Sequence, residues 1–341
     1  MTIVTNSQHP VMASLDGENW SASVRRAVRD PAELLRLLDL PEALLDRLDP
    51  HTPFPLFAPR PFIARMRPGD PADPLLRQVL PLDAEIQQIA GFSRDAVDDA
   101  AAELTPGLLQ KYPGRVLLVV TGACAVHCRY CFRRHFPYGR APKSLAAWSE
   151  ALGRIAADDS IREVILSGGD PLMVRDHLLA ELAERIAAIP HVRRLRVHSR
   201  LPIVIPGRVD EHLLAWLRGT RLTPLMVVHA NHPREIDASV AAALARLIDS
   251  GIPVLNQTVL LSGVNDDVDV LAELSERLLD CRVLPYYLHQ LDRVDGAAHF
   301  EVPVEKGRQL VARLRARLPG FAVPRYVREI AGELSKTSLE H

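Results

Sequence analysis

From residue 115 onward the chain alternates between two hydrophobic periods, and few folds satisfy that alternation. Apolar, β-branched runs with strand character occupy Arg115–Thr121, Val164–Ser167, Leu195–His198, Pro224–His229, Pro253–Leu260 and Val283–Leu288. Segments with helical spacing follow them at Ser144–Ala157, Arg175–Ile189, Asp210–Arg218, Glu235–Asp249, Asp267–Leu279 and Val304–Leu318. Strand then helix, repeated, makes βα units on a parallel sheet. Six units predict an α/β fold, an incomplete (β/α)6 TIM-like barrel rather than a closed eight-fold one, with a last short strand at Phe321–Tyr326. Polar residues collect where each strand ends: Cys124, Gly168 to Asp170, Ser199 and Arg200, His229 to Asn231, Asn256 and Gln257, and His289 to Asp292. Barrels place their chemistry at that end, where the βα loops converge.

Residues 1–105 read differently, as a helical N-terminal region ahead of a core at 106–341. Residues 1–20 are polar and irregular. Asp30 before Pro31 signals a helix start, and a second short helix is expected at Pro41–Leu48. Pro53–Pro81 is proline-rich and reads as an extended wrap whose Arg60, Arg65 and Arg67 form a solvated face. A helix is expected at Arg94–Leu104, capped by Ser93. With 24% charged residues and a net charge of −1, the chain has no basic footprint for nucleic acid. No apolar run reaches membrane-spanning length and no secretory signal opens the chain, so a cytoplasmic protein is expected.

Three of the four cysteines, Cys124, Cys128 and Cys131, fall within eight positions as C-x3-C-x2-C. A [4Fe–4S] cluster normally takes four thiolates. Three from one loop leave one iron open for a small molecule. The competing reading is a zinc site completed by His127 or His135, but zinc motifs usually carry a second cysteine pair and this chain has none. Cys281, 150 residues from the triplet, reads as a buried inert thiol. The triplet, with Tyr130 before its last cysteine, resembles the radical S-adenosylmethionine superfamily, whose open iron chelates S-adenosylmethionine. Ser167-Gly-Gly-Asp170 resembles that superfamily's glycine-rich segment, whose backbone contacts the cofactor's amino group.

Longer segments narrow the resemblance. Lys111-Tyr-Pro-Gly-Arg115, Cys128-Arg-Tyr-Cys-Phe-Arg-Arg134, Leu166-Ser-Gly-Gly-Asp-Pro-Leu172, Ser199-Arg-Leu-Pro202, Asn231-His-Pro233, Asn256 to Asp266 and Pro285 to Asp292 resemble lysine 2,3-aminomutases. Pro106 to Arg115 and Cys131 to Tyr138 are similar to the bacterial branch that makes (R)-β-lysine for elongation factor P. The resemblance implies an isomerase that converts L-lysine to β-lysine through a 5′-deoxyadenosyl radical and a pyridoxal-phosphate aldimine. Its cofactors would be a [4Fe–4S] cluster, S-adenosylmethionine and pyridoxal 5′-phosphate. Tyr130, Gly168, Gly169, Asp170, Ser199, Arg200 and Gln257 are the cofactor-binding candidates beside the cluster.

Pyridoxal phosphate needs a lysine, because an arginine stays protonated. Only four of the 41 basic residues are lysines. Lys143 and Lys306 read as solvated. The resemblance gives Lys336 the Schiff base, with Lys111, Tyr112 and Arg115 holding the cofactor. It gives the substrate carboxylate to Arg133 and the distal ammonium to Asp292 and Glu329. Clostridial-type enzymes have aspartate at that last position, and they carry a cysteine-rich C-terminal extension that this chain lacks. Expected partners are L-lysine, an electron donor such as flavodoxin or ferredoxin, further copies of the chain, and an elongation factor P lysyl-ligase that uses the product. Other outcomes are an aminomutase of a different amino acid, or a non-catalytic zinc or iron–sulfur module. Leu339 to His341 read as the start of an affinity tag.

Overall fold

The computed structural model describes residues 19–48, 52–140, 144 and 146–340. Lys143 and residues 1–18 of the expected irregular start lie outside them, while Asn19 caps a helix Trp20–Arg25 that begins inside that stretch. Ten strands form one sheet: β1 Glu103–Thr105, β2 Leu108–Tyr112, β3 Arg115–Thr121, β4 Glu163–Gly168, β5 Arg194–Ser199, β6 Thr223–Val228, β7 Val254–Leu260, β8 Leu284–Gln290, β9 Arg325–Arg328 and β10 Thr337–Ser338. Strands adjacent in sequence are adjacent in the sheet. From β3 to β9 the pairs are parallel, while β1–β2, β2–β3 and β9–β10 are antiparallel. The outer strands β1 and β10 do not pair with each other. Lys111 Nζ on β2 nevertheless lies 2.8 Å from the Glu329 carboxylate just past β9. The sheet is therefore rolled into an open barrel, and side chains rather than backbone span the gap.

Helices Ser149–Ala157, Asp176–Ala187, Glu211–Arg218, Ala238–Asp249, Val268–Asp280 and Val304–Arg315 cross between the parallel strands, one per expected βα unit. Asp210, Asp237 and Asp267 each cap a helix by accepting from a first-turn N–H. The final parallel strand falls at Arg325–Arg328, later than the sequence suggested, because Gly320–Ala322 closes a 3₁₀ turn first. Leu339 and Glu340 are part of the fold: the Leu339 N–H donates to the Tyr326 carbonyl at 2.9 Å, and Glu340 accepts from Tyr326 N–H. Among the described residues no helix is long and apolar enough to cross a membrane.

The N-terminal region shares one hydrophobic core with the barrel, in which Leu34, Phe62 and Leu76 pack with Val164, Val197 and Met226. Asp30 caps the helix Pro31–Leu37 as expected, and Glu42–Arg47 is a 3₁₀ helix. Three expectations fail here. The proline-rich stretch is not extended throughout, since Arg60–Ile63 forms a helical turn behind Pro59 and Leu76–Gln78 a 3₁₀ turn. The helix at Arg94–Leu104 does not form. Asp95 instead accepts the N–H groups of Asp99 and Ala100 at 2.9 and 3.0 Å, Asp98 takes a φ of 54°, and Ser93 bonds to the loop after β8. Such local side-chain bonds compete with helix formation. Arg65 is not solvated either. Its side chain is 6% exposed and donates to the carbonyls of Ile203 at 2.7 Å, Pro61 at 3.0 Å and Glu235. It ties the proline-rich wrap to two βα loops. Arg65→Ala leaves these carbonyls without their cation and should cost about 2–4 kcal/mol, read as a lower urea-unfolding midpoint.

Candidate active site

A cavity of about 810 Å³ opens at the C-terminal ends of the parallel strands, and every site candidate singled out in the sequence lines it. Its cysteine end is built by two loops that hold each other. The N–H groups of Gly169 and Asp170 donate to the carbonyls of Thr121 and Ala123 at 2.7 and 2.8 Å. Gly168 has a φ of +126°, and a Cβ there would lie 2.5 Å from the Thr121 carbonyl. At Gly169 a Cβ would strike Ala123. These glycines thus admit the cysteine loop itself, not only a ligand.

Asp170 is buried and saturated: it accepts from Ser199 Oγ at 2.7 Å, from Arg200 N at 2.8 Å and from the N–H groups of Leu172 and Leu201. Arg200 Nη1 lies 2.8 Å from Cys128 Sγ, while its Nη2 is held by Gln78 at 2.6 Å and Glu235 at 3.0 Å. Tyr130 accepts from Asn231 Nδ2 at 2.7 Å. Burial, together with the neighbouring thiols, pushes the Cys131 thiol up to about 11 and Cys124 higher than usual. A thiolate trio of this kind is stabilised by a cationic centre. His127 and His135 are engaged elsewhere, on the carbonyls of Pro55 and Asp295. Among the described residues no three His, Cys, Asp or Glu side chains are set to share one metal ion. A cluster places each thiolate on a different iron, so the triplet suits a cluster better than a zinc ion. Cys281 is only partly buried, at the C-terminal cap of Val268–Asp280.

The opposite end is a chain of alternating charges. Arg133 Nε lies 2.6 Å from Asp99, Asp99 2.7 Å from Lys111 Nζ, and Lys111 2.8 Å from Glu329, which also pairs with Lys336. Burial pushes the Glu329 pKa up, but the two lysines outweigh it and hold it at about 2. Asp292 is enclosed and has no ion-pair partner among the described residues; burial first, then the Glu329 charge, push its pKa to about 7. Arg115 lies over the Tyr112 ring, 4.7 Å from guanidinium carbon to centroid. Lys306 pairs at the surface with Asp266. Of the three described lysines, Lys111 and Lys336 line the cavity.

The Tyr112 hydroxyl, Arg200 Nε and the Nε2 atoms of His198 and His289 are buried without a hydrogen-bond partner. All four residues line the cavity, and such atoms call for ligand atoms. Burial lowers the pKa of His198, His229 and His289, so the three rings are neutral. Polarity at strand ends pointed to His229 and His289 without a role. His198 was hidden as the last residue of a strand, and Asp99 inside a helix that does not exist.

The Radical SAM superfamily description matches residues 118–274. The chain is 45% identical over 331 residues to L-lysine 2,3-aminomutase of Haemophilus influenzae, covering 97% of each. It is 48% identical over 325 residues to that of Escherichia coli K12, covering 95% of each. To that of Clostridium subterminale it is 34% identical, covering 96% of this chain and 79% of the other. After anaerobic reconstitution with iron and sulfide, Cys124→Ala, Cys128→Ala and Cys131→Ala should each lose the broad visible absorption of a cluster. Cys281→Ala should keep it; the reverse pattern would reassign the ligands.

Proposed function

The chain belongs to the lysine 2,3-aminomutase family of the radical S-adenosylmethionine superfamily, and from that premise we propose that it moves the amino group of L-lysine from C2 to C3. The observation that carries this reading is a single cavity with three cysteines at one end and an amine pair, Lys111 and Lys336, at the other. The family's cofactors are a [4Fe–4S] cluster, S-adenosylmethionine and pyridoxal phosphate. The residues fit them: free thiols, unpartnered polar atoms at Arg200, Tyr112, His198 and His289, and a cationic wall of Lys111, Arg115 and Lys336 for a phosphate and an aldehyde. When bound, these groups supply hydrogen abstraction by a carbon radical and covalent capture of an amine.

Cys124, Cys128 and Cys131 would hold the cluster. Tyr130, Gly168, Gly169, Asp170, Ser199, Arg200 and Gln257 would surround S-adenosylmethionine. Lys111, Tyr112, Arg115 and Lys336 would hold pyridoxal phosphate. Within that frame the chain's own side chains bind and orient the substrate. Arg133 faces the substrate carboxylate, and Asp292 with Glu329 faces the distal ammonium. Two acids at that end disfavour a substrate with an acidic side chain, such as glutamate. The Glu329 carboxylate pairs with Lys336 and holds its amine at the cavity wall. The enclosed walls keep water from a reactive radical. We further propose that the product is (R)-β-lysine for an elongation factor P lysyl-ligase, that flavodoxin or ferredoxin supplies the electron, and that the enzyme works in the cytoplasm as a homo-oligomer.

Anaerobic incubation of L-lysine with the reconstituted protein, S-adenosylmethionine, pyridoxal phosphate and dithionite should yield β-lysine; unchanged lysine would refute the reading. Borohydride should fix the phosphopyridoxyl group on a peptide containing Lys336, whereas label on Lys111 would exchange the roles of the two lysines. A protonated Asp292 cannot pair with an ammonium. The KM for lysine should therefore fall as pH rises from 6 to 8, across the Asp292 pKa of about 7. In Asp292→Asn that part of the pH dependence should vanish.

A further inference from the structure

Asp99 lies outside the family motifs and has no part in the mechanism above, yet it holds two residues of the cavity wall. Its side chain is 3% exposed. Oδ2 accepts from Arg133 Nε at 2.6 Å and Oδ1 from Arg133 Nη2 at 3.3 Å, a fork-on-fork pairing. The same Oδ1 lies 2.7 Å from Lys111 Nζ. Arg133 has no other ion-pair partner among the described residues. Its Nη1 reaches only Ser167 Oγ, at 3.4 Å.

The rings of Phe132 and Phe136 flank the guanidinium carbon at 4.8 and 5.9 Å, restricting its rotation. Asp99 is itself aimed by the turn in which Asp95 accepts its N–H. Burial pushes the Asp99 pKa up, but Arg133 and Lys111 outweigh it and keep the carboxyl ionised below the usual range.

We propose that Asp99 is a positioning residue for substrate recognition: it occupies the Nε–Nη2 edge of Arg133 and leaves the Nη1–Nη2 end for the substrate α-carboxylate. Arg133 then meets the substrate with its Nη1–Nη2 end in one fixed orientation, since each Nη keeps an N–H that Asp99 does not use. The position of the carboxylate relative to Lys111 and Lys336 is set by Asp99. This rests on the reading of Arg133 as the carboxylate site, and the test separates the two.

The probe pair is L-lysine and cadaverine, which keeps a terminal amine at each end but has no carboxylate. Their affinities are read from the absorbance change of the pyridoxal-phosphate-loaded protein on titration, without turnover. Asp99→Asn should weaken lysine by about tenfold or more while changing cadaverine less than about twofold. Placed on an Arg133→Gln background, Asp99→Asn should add no further loss for lysine, since its effect passes through that arginine. If Asp99→Asn does not fold, Asp99→Glu, which keeps the charge but displaces it, should show the same selective loss at smaller size. Equal losses for the two ligands would make Asp99 a general structural support, and no loss for either would also overturn the proposal. Selective loss in Arg133→Gln with none in Asp99→Asn removes the role of Asp99 alone. Absence of selectivity in Arg133→Gln itself removes the carboxylate site and the proposal with it.

Discussion

Five ionised side chains in a row, Arg133, Asp99, Lys111, Glu329 and Lys336, span the open side of the barrel. An open sheet has two edges that nothing in its hydrogen-bond ladder joins. Here the residue on β2 that reaches across, Lys111, meets a carboxylate carried by the segment after β9. Each buried charge is costly alone and tolerable only beside an opposite one. Alternation of sign therefore settles the spacing of all five at once. Three are cations and two are anions, so the row carries one positive charge that its own carboxylates do not offset. Asp292 lines the same cavity, and burial together with the Glu329 charge raises its pKa to about 7.

The cysteine end depends on a different device. Backbone N–H groups after β4 fasten the loop after β3, and the absence of a Cβ at Gly168 and Gly169 lets the two loops touch. Asp170 then gathers Ser199 and the start of the next loop into the same web, and Arg200 carries it to Cys128. The three βα loops are bound to one another through polar groups that satisfy each other. The proline-rich wrap joins them through Gln78, which contacts both Arg200 and Asn231. A region read as separate from the core thus supplies hydrogen bonds next to the three-cysteine loop.

Much of this was legible in the order of residues. Six strand–helix alternations, polar groups at strand ends and three closely spaced cysteines are local patterns. Period 2 against period 3.6, a cap aspartate, or a thiol spacing is determined by neighbours in the chain, so the barrel, its chemical end and the cluster motif were readable. The scarcity of lysine left four candidates for an imine, and the resemblance, not the local pattern, singled out Lys336 and Lys111. What could not be read were relations between distant residues. The stretch Arg94–Leu104 has helical spacing, but Asp99 gains more from Arg133 and Lys111 than from a helix turn, and Asp95 and Ser93 bond accordingly. Arg65 looked solvated because its carbonyl partners lie about 140 and 170 residues away. The sequence by itself determined the repeating architecture and which residue types face the cavity. Only the tertiary structure decided which charges pair, since a pair across an open barrel depends on distance in space, which sequence spacing does not encode.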